Sequence, residues 1–186
     1  MNEQSQDLST VESSEAPQII ETPPTDAPEV ERSITIGKSA AELYRFWRDP
    51  KNLRRIMEHF AEVSTMGEDR QHWRVNAPLG QSLEWDAQIV EERPDEFLRW
   101  VSLSGAELPN EGSLHLRPAP GVRGTEVKLY FRFDPPGGVL GDAAVKLLSF
   151  APRVVAEKAL RRFKSLVETG EIPTTEHQPA ARADTD

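Results

Sequence analysis

The chain has 186 residues, of which 37% are hydrophobic and 28% are charged, and its formal net charge is −9. This length accommodates one ordinary domain with tails, and the negative charge argues against a nucleic-acid partner or an anionic membrane surface, since both attract cations. The absence of cysteine excludes disulfides, thiolate nucleophiles and cysteine metal sites.

The start of the chain is acidic and polar, unlike a signal peptide, and no stretch approaches the ~18 apolar residues of a membrane span. We therefore expect a cytoplasmic protein without stable membrane insertion. Residues 1–29 are rich in Ser, Thr, Glu and Pro and contain no Lys or Arg, and residues 173–186 are similarly polar. Such segments bury too little apolar surface to offset their ordering entropy. We predict two disordered tails, the first of them acidic, around one folded domain over residues 30–172.

The folded region begins with a strand and a pair of short helices. Residues 30–36 alternate and are β-branched, which predicts a strand that ends at Gly37. Ser39 and Glu42 have the spacing of a helix capping box. This first helix is expected to stop before Pro50, because the residue before a proline avoids the helical region. A second short helix is predicted over residues 52–57.

The middle of the chain, residues 59–133, has an apolar period of two. Regular alternation of this kind predicts an antiparallel sheet with one dry face and one wet face. The side chains assigned to the dry face are Trp73, Val75, Ala77, Leu83, Trp85, Ala87, Ile89, Leu114, Leu116, Val127, Leu129, Phe131 and Phe133.

After residues 134–138 the apolar period becomes helical and continues to Gly170, a predicted helix C-cap. Pro152 lies inside this run and is expected to bend the helix near residues 148–149. The dry face of the sheet must be covered, and the terminal helix is the only long apolar stripe left. The order of elements therefore predicts an α+β fold, in which a curved antiparallel sheet wraps around a long C-terminal helix and leaves an apolar cavity.

Several blocks of sequence carry a family resemblance: residues 46–53, 93–100, 110–114, 124–127, 134–138, 160–164 and 168–173. Together with the order of elements, they resemble the START/Bet v 1-like superfamily (SRPBCC), and more closely its bacterial polyketide cyclase/dehydrase-like branch. The resemblance implies a helix-grip fold. It implies no single activity, because the superfamily contains lipid carriers, hormone receptors and cyclases.

The ionisable residues form no catalytic or metal-binding pattern. His72 and His115 fall on the wet side of their strands, His59 lies where the helix pair meets the sheet, and His177 is in the C-terminal tail. No two histidines have metal-ligand spacing. Three carboxylates also occupy the polar phase of their strands: Glu84, Asp86 and Glu126. We predict no catalytic residues, no metal and no cofactor.

The candidate ligand-binding residues are large or apolar side chains expected to line the cavity. Arg99 is included because the phase of residues 97–102 is ambiguous, so that Arg99 or Ser102 either enters the cavity or lies outside it. An inward Arg would bind a ligand carboxylate or phosphate, whereas an outward Arg would cover the sheet with its stem. The full set is Trp73, Trp85, Ile89, Arg99, Trp100, Leu116, Leu129, Phe131, Val155 and Ala159.

Three functional hypotheses follow. The first is non-enzymatic binding or carriage of a small hydrophobic molecule, lipid-, sterol- or polyketide-like, with the helix pair as a gate. The second, implied by the resemblance, is an aromatase/cyclase or dehydratase, which requires an inward ionisable side chain. The third is a stress-related interaction module whose cavity is filled by its own side chains. The sequence does not identify a protein partner.

Overall fold

The structure is a computed structural model that describes residues 19–76, 82–134 and 152–172. The predicted tails over residues 1–18 and 173–186 lie outside the described residues. The same is true of the expected helix bend near residues 148–149 and of Ala77, assigned above to the dry face.

The described elements are eight strands and three α-helices. The strands are β1 (Ile20–Glu21), β2 (Glu29–Ile36), β3 (Glu62–Thr65), β4 (Arg70–Asn76), β5 (Ser82–Arg93), β6 (Phe97–Leu103), β7 (Asn110–Pro118) and β8 (Thr125–Phe133). The helices are α1 (Ala40–Arg48), α2 (Pro50–Met57) and α3 (Pro152–Thr169).

The strands form one antiparallel sheet in the order β2-β8-β7-β6-β5-β4-β3, and β1 adds to β6. The register of β5 shifts between Ile89 and Glu91, so Val90 is an extra residue that bends the strand. The sheet curls around α3, and the helix pair follows β2. This architecture confirms the predicted helix-grip fold.

The N-terminal boundary of the fold differs from the sequence prediction. Residues 19–29 were assigned to a disordered tail, but Ile20 and Glu21 pair with Leu103 and Ser102 of β6. The Ser104 amide also donates to the Ile19 carbonyl at 2.8 Å. Backbone pairing needs no long apolar run, so the polar composition of this segment concealed a strand.

The helix pair begins as its capping residues dictate. The Ser39 side chain accepts from the Glu42 amide and the Glu42 side chain accepts from the Ser39 amide, which confirms the capping box. The second helix starts at Pro50 rather than at residue 52, because Asp49 serves as its N-cap and accepts from the Lys51 amide at 2.8 Å. Proline is well tolerated at the first position of a helix, where its missing N–H has no partner to lose.

The C-terminal helix α3 packs against β2 and the helix pair. Phe163 is fully buried, and its ring centroid lies 5.9 Å from that of Phe46 and 5.2 Å from that of Trp47. Gly170 follows α3 with φ 79°, and its amide donates to the Leu166 carbonyl at 2.9 Å. This geometry confirms the predicted glycine C-cap, which needs the left-handed region.

Candidate ligand-binding site

An apolar cavity of about 80 Å³ lies between the inner face of the sheet, the end of α2 and the start of the described part of α3. Strands β4, β5, β6 and β8 supply one wall, and α3 supplies the opposite wall. The inner face is apolar because most inward-facing residues of these strands are hydrophobic, and many of them are large. Pairing of the strands in register brings those side chains together.

Two tryptophans form the centre of the sheet wall. Trp73 of β4 and Trp85 of β5 are directly opposed in register, so their side chains lie on the same face. Their rings stack with centroids 5.9 Å apart and an interplanar angle of 8°. Only 8% of Trp73 and 5% of Trp85 is exposed. Neither indole Nε1 has a hydrogen-bond partner among the described residues.

A third tryptophan, Trp100 of β6, lies opposite Gly112 of β7. A Cβ atom at residue 112 would lie 2.2 Å from Cζ2 of the Trp100 ring. The absence of a side chain at Gly112 therefore lets the Trp100 ring lie flat on the sheet. With any other residue at position 112, the ring would have to move.

Most of the sequence-predicted residues meet at this cavity. Ile89 lines a neighbouring recess of about 20 Å³ that shares Trp73 and Trp100 with the cavity wall. Leu116 is buried in the hydrophobic core without being part of the lining. The predicted residues that line the cavity itself are Trp73, Trp85, Trp100, Leu129, Phe131, Val155 and Ala159.

Arg99 does not enter the cavity, which corrects the interpretation that placed it among the lining residues. Trp100 occupies the inner phase of β6, so Arg99 falls on the outer face. There its Nη2 lies 2.7 Å from Oε2 of Glu111, a carboxylate that also binds Arg132. Ser102 is buried and donates to the Glu21 carbonyl at 2.7 Å, and it is not part of the cavity wall either.

Sequence reasoning missed half of the wall. Phe133 and Pro152 were recognised as part of the apolar patterns but not chosen as ligand contacts. Leu108 lies in the turn before β7, Asn110 is the first residue of β7 and Phe60 follows a helix, so period-two or helical spacing gives no information about the direction of their side chains. The unpredicted lining residues are Met57, Phe60, Leu108, Asn110, Phe133, Pro152 and Ala156.

Apart from the indole N–H groups of the tryptophans, the described lining has one polar side chain, that of Asn110. It is almost completely buried, and its Nδ2 donates to the Leu108 carbonyl at 2.8 Å. The backbone N–H of Asn110 donates to Ser102 Oγ at 2.9 Å. No Asp, Glu, His, Lys, Arg or Tyr belongs to the described part of the lining. The described part of the cavity wall thus offers no group for proton transfer at neutral pH.

His59 links the helix pair to α3 beside the cavity. Its Nδ1 lies 3.1 Å from the Ile56 carbonyl and its Nε2 lies 3.3 Å from the carbonyl of Val155, a lining residue. Burial is the main cause that lowers its pKa, and the charges of Arg162 and Lys158 act in the same direction. A neutral imidazole carries a single N–H, so it donates to one of these two carbonyls and only lies against the other.

The other ionisable clusters lie away from the cavity wall. His72 Nδ1 is 2.8 Å from Oδ1 of Asp86 on the polar side of the strands, as the alternation predicted. The Tyr44 hydroxyl donates to Glu92, and burial together with this carboxylate raises the pKa of Tyr44 to about 12. Within the ranges that the structure describes, His, Asp and Glu side chains form no group of three that could hold a metal.

Two of the basic residues of α3 are engaged in contacts within the protein. Arg162 donates to the Arg55 carbonyl at 2.7 Å and pairs with Glu58 at 2.8 Å. Lys164 donates to the Thr35 carbonyl at 2.7 Å. Among the described helices, none has the length and apolar character needed to cross a membrane.

Comparison with known proteins places this geometry in a family. The sequence model of the family described as "Polyketide cyclase / dehydrase and lipid transport" matches residues 36–164. The chain belongs to this family. The match runs from the end of β2 into α3, so it includes both walls of the cavity. It confirms the resemblance inferred from the sequence blocks, and its description covers both polyketide chemistry and lipid handling.

Individual proteins of similar sequence or fold extend the comparison. A 17.2 kDa protein of Streptomyces lincolnensis is 28% identical over 141 residues, which are 75% of this chain and 89% of that protein. A crystal structure from Deinococcus radiodurans is 35% identical with a TM-score of 0.62, covering 77% of this chain and 99% of that one. A Thermus thermophilus structure, 20% identical with a TM-score of 0.60 over 78% of this chain and 100% of that one, shares the fold.

Proposed function

We propose that this member of the polyketide cyclase/dehydrase and lipid transport family binds a small hydrophobic molecule in the sheet–helix cavity without transforming it. The observation that carries the proposal is the lining, which is built from aromatic and aliphatic side chains and contains no ionisable group in its described part. Transfer of apolar ligand surface from water into such a cavity contributes roughly 25 cal/mol per Å².

The size of the cavity limits the ligand. An apolar cavity of roughly 150 Å³ binds benzene, and the cavity here is about 80 Å³. A ring or a short chain segment therefore requires the wall to move. The recess beside Ile89 shares Met57, Trp73 and Trp100 with the cavity, so movement of these side chains would join the two spaces. Even the joined space is smaller than a benzene-binding cavity, so we infer that only a ring or chain end of a lipid-, sterol- or polyketide-like ligand enters, and that the wall moves further to admit it.

Catalysis on a polyketide-like substrate is the alternative that the family description also covers. A general acid or base must come within roughly 2.6–3.2 Å of the proton that it transfers. The polar groups of the described wall are only an amide and indole N–H groups, which do not ionise near neutral pH and so cannot act as a general acid or base. The lining therefore favours binding over acid–base chemistry.

The experiment that tests the proposal is native mass spectrometry of the full chain purified from cells, repeated after denaturation and after incubation with lipid and polyketide extracts. Ala159, which is 1% exposed and lines the cavity, is replaced by Leu to fill it. Val154, on the same helix and 58% exposed, is replaced by Leu as the matched control. Circular dichroism establishes that both variants fold.

We expect a released apolar small molecule from the wild type and from Val154→Leu, and its loss from Ala159→Leu. A bare chain mass in every sample, including those given extracts, would overturn the proposal. That result would instead favour an interaction module with a filled cavity. Turnover of a bound polyketide would favour the enzyme hypothesis.

A further inference from the structure

We propose that the side-chain amide of Gln71 binds a hydroxyl group at one end of the hydrophobic ligand, and that this hydroxyl lies in the recess beside Ile89. The inference rests on the proposed function, because the apolar part of the same ligand occupies the cavity. It names the ligand class as a neutral alcohol, with an apolar ring or chain and one polar end.

Gln71 is a polar residue on the inner face of the sheet. It lies two residues before Trp73 in β4, so the two side chains point to the same side of the strand. Its partner in register is Ala87 of β5, which is buried in the hydrophobic core, and directly opposed residues share a face. The Gln71 side chain therefore points toward the helix pair, where it belongs to the lining of the recess.

The amide of Gln71 has both of its hydrogen-bonding groups free within the part of the chain that the structure describes. The residue is half-buried, yet neither its carbonyl oxygen nor its NH₂ group bonds to another described residue. A polar group that is partly removed from water is stabilised by a partner in the same space. An amide that both donates and accepts is matched by a hydroxyl, which also does both.

The recess has the size of a single polar group. Its volume is about 20 Å³, and one water-sized group needs about 10–15 Å³. A hydroxyl meets this limit, whereas a carboxylate or a phosphate has two or more oxygens. The recess and the cavity share Met57, Trp73 and Trp100. Movement of these shared side chains lets one ligand keep its apolar part in the cavity and place its hydroxyl beside Gln71.

The charges at the recess favour a neutral polar end over an ionised one. Arg48 is the one cation of the described recess lining, and its Nε lies 2.6 Å from Oε1 of Glu92. Its Nη2 lies 3.0 Å from Oδ1 of Asp69. A ligand carboxylate or phosphate therefore finds no free cation there, and an ammonium finds no carboxylate in the described lining. Either charge would be buried without a partner, at a desolvation cost that a hydroxyl avoids.

The test compares benzyl alcohol with ethylbenzene, two probes of the same shape that differ in C–OH against C–CH₃. The affinities of the full-length protein for both are measured by NMR titration in the wild type, Gln71→Met and Gln88→Met. Methionine keeps the unbranched length of glutamine but removes the amide. Gln88→Met is the matched control, because Gln88 follows Ala87 in β5 and its side chain points to the outer face.

We expect Gln71→Met to lower the affinity for benzyl alcohol, relative to ethylbenzene, by about fivefold, as for one net hydrogen bond. Gln88→Met should leave this ratio unchanged. The ratio cancels changes in packing, because both probes meet the same altered wall. In the wild type, benzyl alcohol should also shift the side-chain NH₂ signals of Gln71 more than ethylbenzene does, with those of Gln88 as the internal reference.

Three results would contradict the proposal, and they differ in what they leave standing. If both probes bind the wild type and the ratio is the same in all variants, the Gln71 amide does not bind the hydroxyl, although the cavity still binds apolar ligands. Absence of the NH₂ shift in the wild type has the same meaning, whether or not Gln71→Met folds. If neither probe binds the wild type, the inference fails, and native mass spectrometry decides separately whether the cavity holds another apolar molecule.

Discussion

The ring of Trp100 lies over Gly112 so closely that a Cβ atom at residue 112 would sit 2.2 Å from the ring carbon Cζ2. Gly112 and Trp100 are directly opposed on strands β7 and β6, and the tryptophan ring occupies the space that a side chain at residue 112 would fill. Since Trp100 lines both the cavity and the adjoining recess, this contact determines the shape of the candidate site.

We predict that Gly112→Ala forces Trp100 out of its position and lowers the free energy of unfolding by about 1–3 kcal/mol, the usual cost of overpacking. Ligand affinity should fall in parallel, because the displaced ring enters the cavity. Gly67→Ala is the control, since a Cβ there meets nothing within 4 Å. Urea unfolding of both variants provides the measurement, and equal effects at the two glycines would contradict the prediction.

Phe163 should be one of the most sensitive positions of α3. It is fully buried against Phe46 and Trp47, so Phe163→Ala leaves a cavity where α3 meets the helix pair. We expect a loss of about 3–5 kcal/mol in the free energy of unfolding. Val154→Ala, at a residue of the same helix that is 58% exposed, should change it by less than about 0.5 kcal/mol. A small effect at Phe163 in chemical denaturation would argue against this packing.

His59 should make the stability depend on pH. Burial lowers its pKa below the ordinary value of 6.5, so the folded protein binds fewer protons than the unfolded chain between the two pKa values. The free energy of unfolding is then greatest above pH 6.5 and decreases as the pH falls through this window. Burial also lowers the pKa of His115, which contributes with the same sign.

The measurement is urea unfolding between about pH 7 and about pH 5 for the wild type, His59→Gln and His115→Gln. Each replacement should flatten the dependence of the free energy of unfolding on pH, because it removes one group whose pKa is lower in the folded state than in the unfolded chain. Slopes identical to that of the wild type in both variants would show that these histidines titrate alike in the folded and unfolded chain.

Arg99→Ala distinguishes the outer position of this side chain from an inward one. Arg99 pairs with Glu111, whose carboxylate also binds Arg132, so the variant removes one of two partners. We expect a loss of about 1 kcal/mol or less in the free energy of unfolding, since the arginine is partly exposed. The amount of apolar molecule released from the cavity in native mass spectrometry should be unchanged. A marked loss of ligand affinity without loss of stability would contradict the outer position.

The amino-acid sequence alone determined the class of the fold and most of the sheet wall. Period-two alternation assigns Trp73, Trp85, Leu129 and Phe131 to one face, and this information is local because consecutive side chains of a strand point to opposite sides. The capping residues Ser39 and Gly170 likewise locate helix ends through contacts within a few residues. Such features need no knowledge of distant parts of the chain.

Only the tertiary structure decided the phase of β6, the partners of the N-terminal segment and the size of the cavity. Strand β6 is buried on both faces, with Leu98 on one and Val101 on the other, so its sequence shows no alternation that could orient Arg99. The pairing of Ile20 with Leu103 joins residues far apart in the chain. Among the described residues, no acceptor from any element reaches the Trp73 and Trp85 nitrogens, and the sequence cannot show this because it depends on neighbours that are distant in the chain.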